Sequence, residues 1–116
     1  MTDIERRNGY LYVEYTEEYK LEKFLSISRE VLTICRTEQY SKVLVNILNM
    51  QGTLSPMQRF EAGVQGARMF RQIKIAVVHR KEEITRFAED VGVNRGLNGR
   101  IFSQMDKALE WLEVEG

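Results

Sequence analysis

The stretch Lys42-Val-Leu-Val-Asn-Ile-Leu48 decides the fold class. Apolar side chains occupy nearly every position, whereas a strand with one face in water would alternate apolar and polar residues. A nearly continuous apolar run of this length is typical of a parallel strand covered on both faces. We therefore predict a central strand of an α/β sheet here.

The segments on either side of this strand have helical patterns. Upstream, apolar residues from Leu21 to Cys35 recur at three- and four-residue spacing, which predicts a helix that Thr16 caps and that ends near Gln39. Downstream, Ser55-Pro56-Met57-Gln58 is a capping-box pattern with proline at the first helical position. It predicts a second helix that runs to about Arg71.

The same rules extend to both ends of the chain. They predict strands at Tyr10 to Thr16 and at Ile73 to Val78, and a helix at Lys81 to Val91. Gly92 and Gly96 are expected in left-handed positions, and Asn98-Gly99 in a turn. A strand at Arg100 to Phe102 is then followed by a last helix, which Ser103 caps and which includes Met105 and Leu112.

The predicted order is therefore β-α-β-α-β-α-β-α. This alternation indicates an α/β fold with a mostly parallel, four- or five-stranded sheet, right-handed crossovers and helices packed on its faces. A chain of 116 residues can bury one modest core, so residues 1–116 are expected to form a single domain. Residues 1–9 are either a tail or an additional edge strand.

Composition excludes several classes of function. The chain has 17 basic and 17 acidic side chains, whereas a nucleic-acid-binding domain is usually basic. No apolar run approaches the roughly 20 residues that span a bilayer, and the first residues are too polar for a secretory signal. Cys35 is the only cysteine, so an intrachain disulfide is impossible and a reducing cytoplasm is the expected location.

Ligands of open α/β sheets gather beyond the carboxyl ends of the strands. We expect four segments there: Thr16-Glu17, the loop from Asn49 to Ser55, His79-Arg80-Lys81 and Ser103-Gln104. In the loop, Gly52, Thr53 and Ser55 precede a helix N-terminus, where an anion or a phosphorylated hydroxyl is favoured. The alternative is that Ser55 only caps the helix and Gly52 only forms a turn.

No catalytic, metal or cofactor site is predicted. His79, the single histidine, could carry a proton or bind an anion, but the sequence around it offers no carboxylate, cysteine or metal-ligand partner at a useful spacing. We therefore expect a structural histidine. Cys35 lies on an apolar helical face and is expected to be a small buried hydrophobe.

The second predicted helix has small residues at helical spacing, including Gly63 and Gly66, so something should approach it closely. Intrachain packing, a second subunit and a flat apolar ligand are the candidates. The neighbouring apolar side chains are expected to form either part of the core, an adaptable contact surface or the lining of a ligand cavity. They are Met50, Leu54, Met57 and Phe60.

Several stretches together resemble the STAS-like family, in particular its anti-sigma-factor-antagonist-like (SpoIIAA-like) branch of bacterial proteins, most of which have no assigned function. The resemblance covers roughly residues 10–113. The stretches are Lys42 to Leu48, the loop to Ser55, Ile75-Ala76-Val77-Val78, Phe87-Ala88 through Asn94-Arg95-Gly96 to Arg100-Ile101-Phe102, and Ala108-Leu109-Glu110-Trp111-Leu112.

This resemblance implies a non-enzymatic module that binds a protein partner. In the best-studied members, a partner kinase phosphorylates a serine at the start of the helix after the central strand. Thr53 or Ser55 would be that phosphoacceptor here, although Gln51-Gly52-Thr53-Leu54-Ser55-Pro56 lacks the family motif's acidic residue and following glycine. Self-association as a homodimer and a lipid-like or anionic small ligand remain alternatives.

Overall fold

The structure is a computed structural model that describes residues 2–116. The elements are β1 (Thr2–Arg7), β2 (Tyr10–Tyr15), α1 (Leu21–Glu38), β3 (Lys42–Asn46), α2 (Pro56–Met69), β4 (Lys74–Val78), a 3-10 turn (Lys81–Glu83), α3 (Phe87–Asn94), β5 (Asn98–Phe102) and α4 (Met105–Leu112).

The strands form one five-stranded sheet in the order β1-β2-β3-β4-β5. β1 is antiparallel to β2, and all other neighbours are parallel, with Leu44 of β3 beside Tyr12 of β2 and Ala76 of β4. The α/β class and the mostly parallel sheet are therefore as predicted. Because the order advances in one direction, right-handed crossovers put α1, α2 and α3 on the same face of the sheet.

The two faces of the sheet have separate cores. On the α1–α3 face, the core consists of Leu11, Val13, Val43 and Ile75 from the sheet together with Val31, Leu32, Cys35, Phe70 and Ile73. The opposite face packs against α4, and its core consists of Tyr10, Tyr12, Leu44, Ala76 and Val78 with Ala108 and Leu112. Alternate residues of each strand thus pack against different helix layers, which explains why the middle of β3, from Val43 to Val45, is apolar at every position.

Residues 2–7 form the edge strand β1, which is one of the two predicted alternatives. β1 pairs with β2 along its whole length, from Thr2 opposite Tyr15 to Arg7 opposite Tyr10. A bidentate ion pair from Arg6 to Glu38, at 2.6 and 2.7 Å, connects this strand to the end of α1. Both side chains are well exposed, so water screens the pair and its contribution to stability is small.

The predicted start of the first helix was wrong. Thr16 does not cap α1, which begins at Leu21 after Lys20 in an extended conformation. The Tyr15 hydroxyl donates to the carbonyl oxygen of Glu18 at 2.6 Å, and this bond holds the preceding segment as a loop. The end was predicted well, because Gln39 is the left-handed C-cap.

The predicted helix at 81–91 is in fact two elements. A 3-10 turn is followed by an irregular connection, and Arg86 adopts a left-handed conformation (φ 64°) before α3 begins at Phe87. Gly96 is left-handed as predicted, with φ of 95°, but Gly92 lies inside α3. Gly92 packs closely against Leu97, since a Cβ there would lie 2.8 Å from Leu97 Cδ2 and the leucine side chain would have to shift.

Two predictions near the C-terminus were also wrong. Asn98 and Gly99 pair with β4 as the first residues of β5 and do not form a turn. Gln104, not Ser103, is the N-cap residue of α4. By contrast, the capping box at Ser55 and Gln58 is fully formed at the start of α2.

Candidate binding site

The carboxyl end of β3 is fixed by Asn46. Its Nδ2 donates to the Tyr12 hydroxyl at 2.8 Å, and its Oδ1 accepts from the backbone N–H of Leu48 at 2.9 Å. Asn46 is buried, so both amide ends need such partners. Asn46, the polar residue at the end of the otherwise apolar stretch from Val43, therefore sets where the following loop leaves the sheet.

Arg80 holds that loop in place. Its Nη1 donates to the carbonyl oxygens of Leu48 and Met50, both at 2.8 Å, and its Nη2 donates to that of Gly52 at 3.2 Å. Arg80 follows β4, so the structure brings together two of the four predicted segments. A single planar guanidinium that spans three carbonyls makes the loop rigid.

The hydroxyl-bearing residues of the loop face solvent. Gly52 has φ of 78°, the left-handed conformation that glycine adopts without strain, and Thr53 and Ser55 are exposed. Ser55 Oγ accepts from the backbone N–H of Gln58 at 3.1 Å, and Gln58 Oε1 accepts from that of Ser55 at 2.9 Å. The cap is therefore real, and its hydroxyl is accessible.

Met57 and Phe60 follow on the outer surface of α2. They are 69% and 41% exposed, and the Arg95 guanidinium lies 5.4 Å from the centroid of the Phe60 ring. The predicted cavity lined by these two residues together with Met50 and Leu54 needs correction. Of the four, only Met50 and Leu54 line a cavity. The face of α2 that points inward carries Arg59, Ala62, Gly63 and Gly66, which recur at helical spacing.

Gly63 and Gly66 are on that inward face. A Cβ at Gly63 would lie 2.7 Å from the carbonyl oxygen of Ala88 and 2.9 Å from Val91, so α2 and α3 pack at the glycine backbone. At Gly66 the nearest atom to such a Cβ is Leu97 Cδ2, at 3.8 Å. Intrachain packing thus uses Gly63, while Gly66 borders open space.

That space is a cavity of about 220 Å³ between the sheet and the layer formed by α1, α2 and α3. Its lining is almost entirely apolar and includes Phe24 and Ile27 of α1 and Leu97 before β5. Val45 and Val77 also line it, and they are only partly buried although they lie in central strands. The helices therefore stand away from the middle of the sheet.

Two polar side-chain atoms at the cavity wall lack hydrogen-bond partners. His79 Nε2 and Glu83 Oε1 are buried, and neither forms a hydrogen bond with any group among residues 2–116. His79 is 3% exposed, and its Nδ1 accepts from the backbone N–H of Arg80 at 3.0 Å. Burial, and next the charge of Arg80, lower the pKa of His79, so the ring is neutral near pH 7.

Sequence reasoning missed Arg59 and Glu83. Arg59 is buried in α2, its Nη1 donates to the carbonyl oxygen of Glu83 at 2.8 Å, and its Nη2 lies 3.9 Å from Glu83 Oε1. The distance of 3.9 Å is too long for a hydrogen bond. The available signal was the position of Arg59, four residues before Gly63 on the same helical face.

The other two predicted segments lie apart from the cavity. The Glu17 carboxylate pairs with the Lys23 ammonium at 2.5 Å, and this hydrogen bond is the main cause that lowers the pKa of Glu17 to about 2. Ser103 and Gln104 line a second cleft, which shares Arg86 and Arg100 with the cavity lining and adds the cationic residues Lys81 and Lys107. The structure therefore separates the predicted site into distinct regions.

Cys35 is buried between α1 and the sheet, and burial raises the pKa of its thiol. No three His, Cys, Asp or Glu side chains among residues 2–116 group closely enough to hold a metal ion. Over the same residues, no helix is both long enough and apolar enough to cross a bilayer.

Solved structures share this fold over nearly the whole chain. An anti-sigma factor antagonist from Mycobacterium paratuberculosis is 12% identical, with a TM-score of 0.66 over 97% of this chain and 93% of that chain. An uncharacterised DUF3478-family protein with a SpoIIAA-like fold, from Shewanella loihica, is 18% identical, with a TM-score of 0.61 over 97% and 92%. A serine-to-glutamate variant of RsbS from Moorella thermoacetica is 14% identical, with a TM-score of 0.62 over 97% and 94%.

No protein-family model and no curated protein sequence matches the chain. The structural likeness defines the class of the domain: it has the SpoIIAA-like fold, as the sequence resemblance predicted. A shared fold at this level of identity does not by itself assign a function.

Proposed function

We propose that this chain is a non-enzymatic, cytoplasmic regulatory module that binds a protein partner through the start of α2 and the loop before it. We call this region the loop–α2 surface and define it as residues 51–60. The observation that carries the proposal is the exposure of Met57 and Phe60 beside a rigid, hydroxyl-bearing loop.

Large apolar side chains that remain exposed next to one another are a feature of interaction sites. Methionine and aromatic residues are also enriched at protein interfaces. Because Arg80 restrains the loop, a partner would meet a largely preformed surface and lose little conformational entropy on ordering it. One protein with this fold is an anti-sigma factor antagonist, and our proposal places the chain in the same broad class of regulators.

Ser55 or Thr53 would be the phosphoacceptor that controls binding. Both residues are exposed within this surface. A phosphate on Ser55 would sit at the N-terminus of α2, where the backbone N–H groups and the helix dipole favour negative charge. It would also place that charge two residues from Met57 and so weaken an apolar contact.

The test uses the tagged full-length chain, isolated from its native cells under mild conditions and sized by sedimentation. We expect a complex heavier than the 13.6 kDa monomer, containing a second protein at fixed stoichiometry. The double variant Met57→Ser/Phe60→Ser should release that protein. Phe87→Ser is the matched control, because Phe87 lies in α3 and is 42% exposed.

Retention of the complex by the double variant, or equal loss in the control, would contradict the proposed surface. A complex that contains only a second copy of this chain would show instead that the module works as a homodimer.

A second candidate function is that of a carrier or sensor for a small ligand. The observation that favours it is the cavity itself, with an apolar lining and two buried polar atoms that lack partners. This function does not exclude the first, since Met57 and Phe60 are exposed on the outer surface of α2 and do not line the cavity.

A further inference from the structure

His79 contributes a buried hydrogen-bond donor without a partner to the cavity wall. In a neutral imidazole one ring nitrogen carries a proton and the other accepts a hydrogen bond. His79 Nδ1 accepts from the Arg80 N–H, so the proton is on Nε2. That Nε2–H is buried at the cavity wall and has no acceptor among the described residues.

Glu83 contributes a buried acceptor without a hydrogen-bond partner to the same wall. Glu83 Oε1 is buried and receives no hydrogen bond from residues 2–116, and the nearest cationic group, Arg59 Nη2, lies 3.9 Å away. Buried polar atoms are normally paired, so an unpaired donor and an unpaired acceptor on one cavity call for an explanation. A bound molecule that pairs with both would supply it.

The remaining lining limits the shape and polarity of such a molecule. A dry apolar cavity of about 150 Å³ accepts benzene, so about 220 Å³ holds a somewhat larger body of one or two rings, or a short aliphatic chain. The lining also includes the cationic residues Arg59, Arg86 and Arg100. An anionic head group could accept from His79 Nε2–H but could not donate to Glu83 Oε1, so it would leave that acceptor unpaired. A hydroxyl group both accepts and donates, and it carries no charge.

We propose that this cavity binds an uncharged apolar molecule of about this size with one hydroxyl group, a phenol or an alcohol. Its oxygen accepts from His79 Nε2–H, and its proton goes into a hydrogen bond to Glu83 Oε1. The ring or chain fills the space bordered by Gly66, Val45 and Val77. This inference rests on the second candidate function and is independent of the partner-binding surface.

The test titrates the full chain, labelled with ¹⁵N, with 2-naphthol, naphthalene and 2-naphthoate and follows the shifts by NMR. We expect 2-naphthol to bind at least tenfold more tightly than the other two. Naphthalene and 2-naphthoate have no hydroxyl proton to donate to Glu83 Oε1, and naphthalene also has no oxygen to accept from His79 Nε2–H. The shifted amides should surround the cavity, including Gly66 and Val77.

Two variants locate the recognition. His79→Asn retains an acceptor for the Arg80 N–H but places no group at the Nε2 position, so the preference for 2-naphthol over naphthalene should fall below threefold. Glu83→Gln should weaken the binding of 2-naphthol. The matched control is Glu82→Gln, a substitution at an exposed neighbour, which should leave that binding unchanged. A further readout uses the wild-type chain and so does not depend on the folding of any variant. Its His79 ¹⁵N resonances should show the Nε2–H tautomer and should shift when 2-naphthol is added.

The outcomes separate the two levels of the argument. Equal affinity for naphthalene and 2-naphthol would overturn hydroxyl recognition but leave the carrier function standing. Tighter binding of 2-naphthoate would replace the ligand class with an anion. Binding of no probe, or shifts confined to Met57 and Phe60, would overturn both this inference and the carrier function.

Discussion

Gly63 of α2 and Ala88 of α3 approach so closely that a methyl group on Gly63 would lie 2.7 Å from the Ala88 carbonyl oxygen. The glycine stripe in α2 therefore contains two residues with different tasks. Gly63 lets the two helices touch, and Gly66 borders the cavity with ordinary space around it.

This difference predicts opposite effects of one substitution. Gly63→Ala should lower the free energy of unfolding by about 1–3 kcal/mol, because the added methyl group would press on the Ala88 carbonyl and on Val91, and neither group can shift easily. Gly66→Ala should leave it unchanged or raise it by up to about 1 kcal/mol, since alanine favours the helix. Urea unfolding of the two variants measures both effects, and equal destabilisation would contradict the assignment.

The capping box predicts how Ser55 tolerates substitution. Ser55→Ala should cost about 1 kcal/mol, because the Gln58 N–H loses its acceptor. Ser55→Asp should retain most of the stability, since aspartate also caps and suits the helix dipole. Thermal unfolding checks both. If the aspartate variant were as unstable as the alanine variant, negative charge at this position would not be compatible with the folded domain.

Arg80 is predicted to control the mobility of the loop. Arg80→Lys keeps the charge but cannot reach three carbonyl oxygens in one plane, so amide exchange should accelerate in residues 48–53 and much less in β4. Each lost hydrogen bond contributes about 1 kcal/mol. Glu82→Gln removes the exposed ion pair to Arg80 and serves as the control. Unchanged exchange in the lysine variant would mean that the loop is held by other contacts.

The buried His79 predicts a pH dependence of stability. Burial and the neighbouring Arg80 charge lower the pKa of His79 below its usual value of about 6.5, although Glu83 and Glu82 oppose this and Arg59 adds to it. The unfolded chain then binds a proton more readily, so stability is full above about pH 6.5 and falls as the pH drops towards the folded-state pKa.

The slope from one such group is at most about 1.4 kcal/mol per pH unit. Urea unfolding at pH 7.5, 6.5 and 5.5 measures it, and His79→Asn should flatten the curve in this range. Glu17 and Glu38, whose pKa values are lowered by Lys23 and Arg6, contribute only at lower pH. A wild-type curve that is flat between pH 7.5 and 5.5 would show that His79 is not held neutral by burial.

The sequence predicted the fold well because its signals were local. The apolar run of β3, the capping box at Ser55 and the helical spacing of α1 and α4 each depend on near neighbours. The errors arose where distant residues decide the local structure. Tyr15 holds the loop that delays α1, and Gly92 lies inside α3, where it packs against Leu97, and does not end a helix.

The site was predicted only in part for the same reason. The position of His79 after β4 and the loop before α2 followed from the general rule for parallel sheets. Met50 and Leu54 line the cavity while Met57 and Phe60 are exposed, and this difference depends on how the loop and α2 pack against the rest of the chain. The place of Glu83 at the cavity wall could not be predicted, because the sequence pattern indicated one helix at 81–91, whereas the structure has a 3-10 turn that ends at Glu83 and a separate α3.

The central claim is that residues 51–60 contact a protein partner. The most direct measurement places a photo-crosslinking amino acid at position 57 of the full chain in its native cells, with position 30 on the exposed surface of α1 as control. We predict a discrete crosslinked species from position 57 and none from position 30. No crosslinked species from position 57, or the same species from both positions, would contradict the claim.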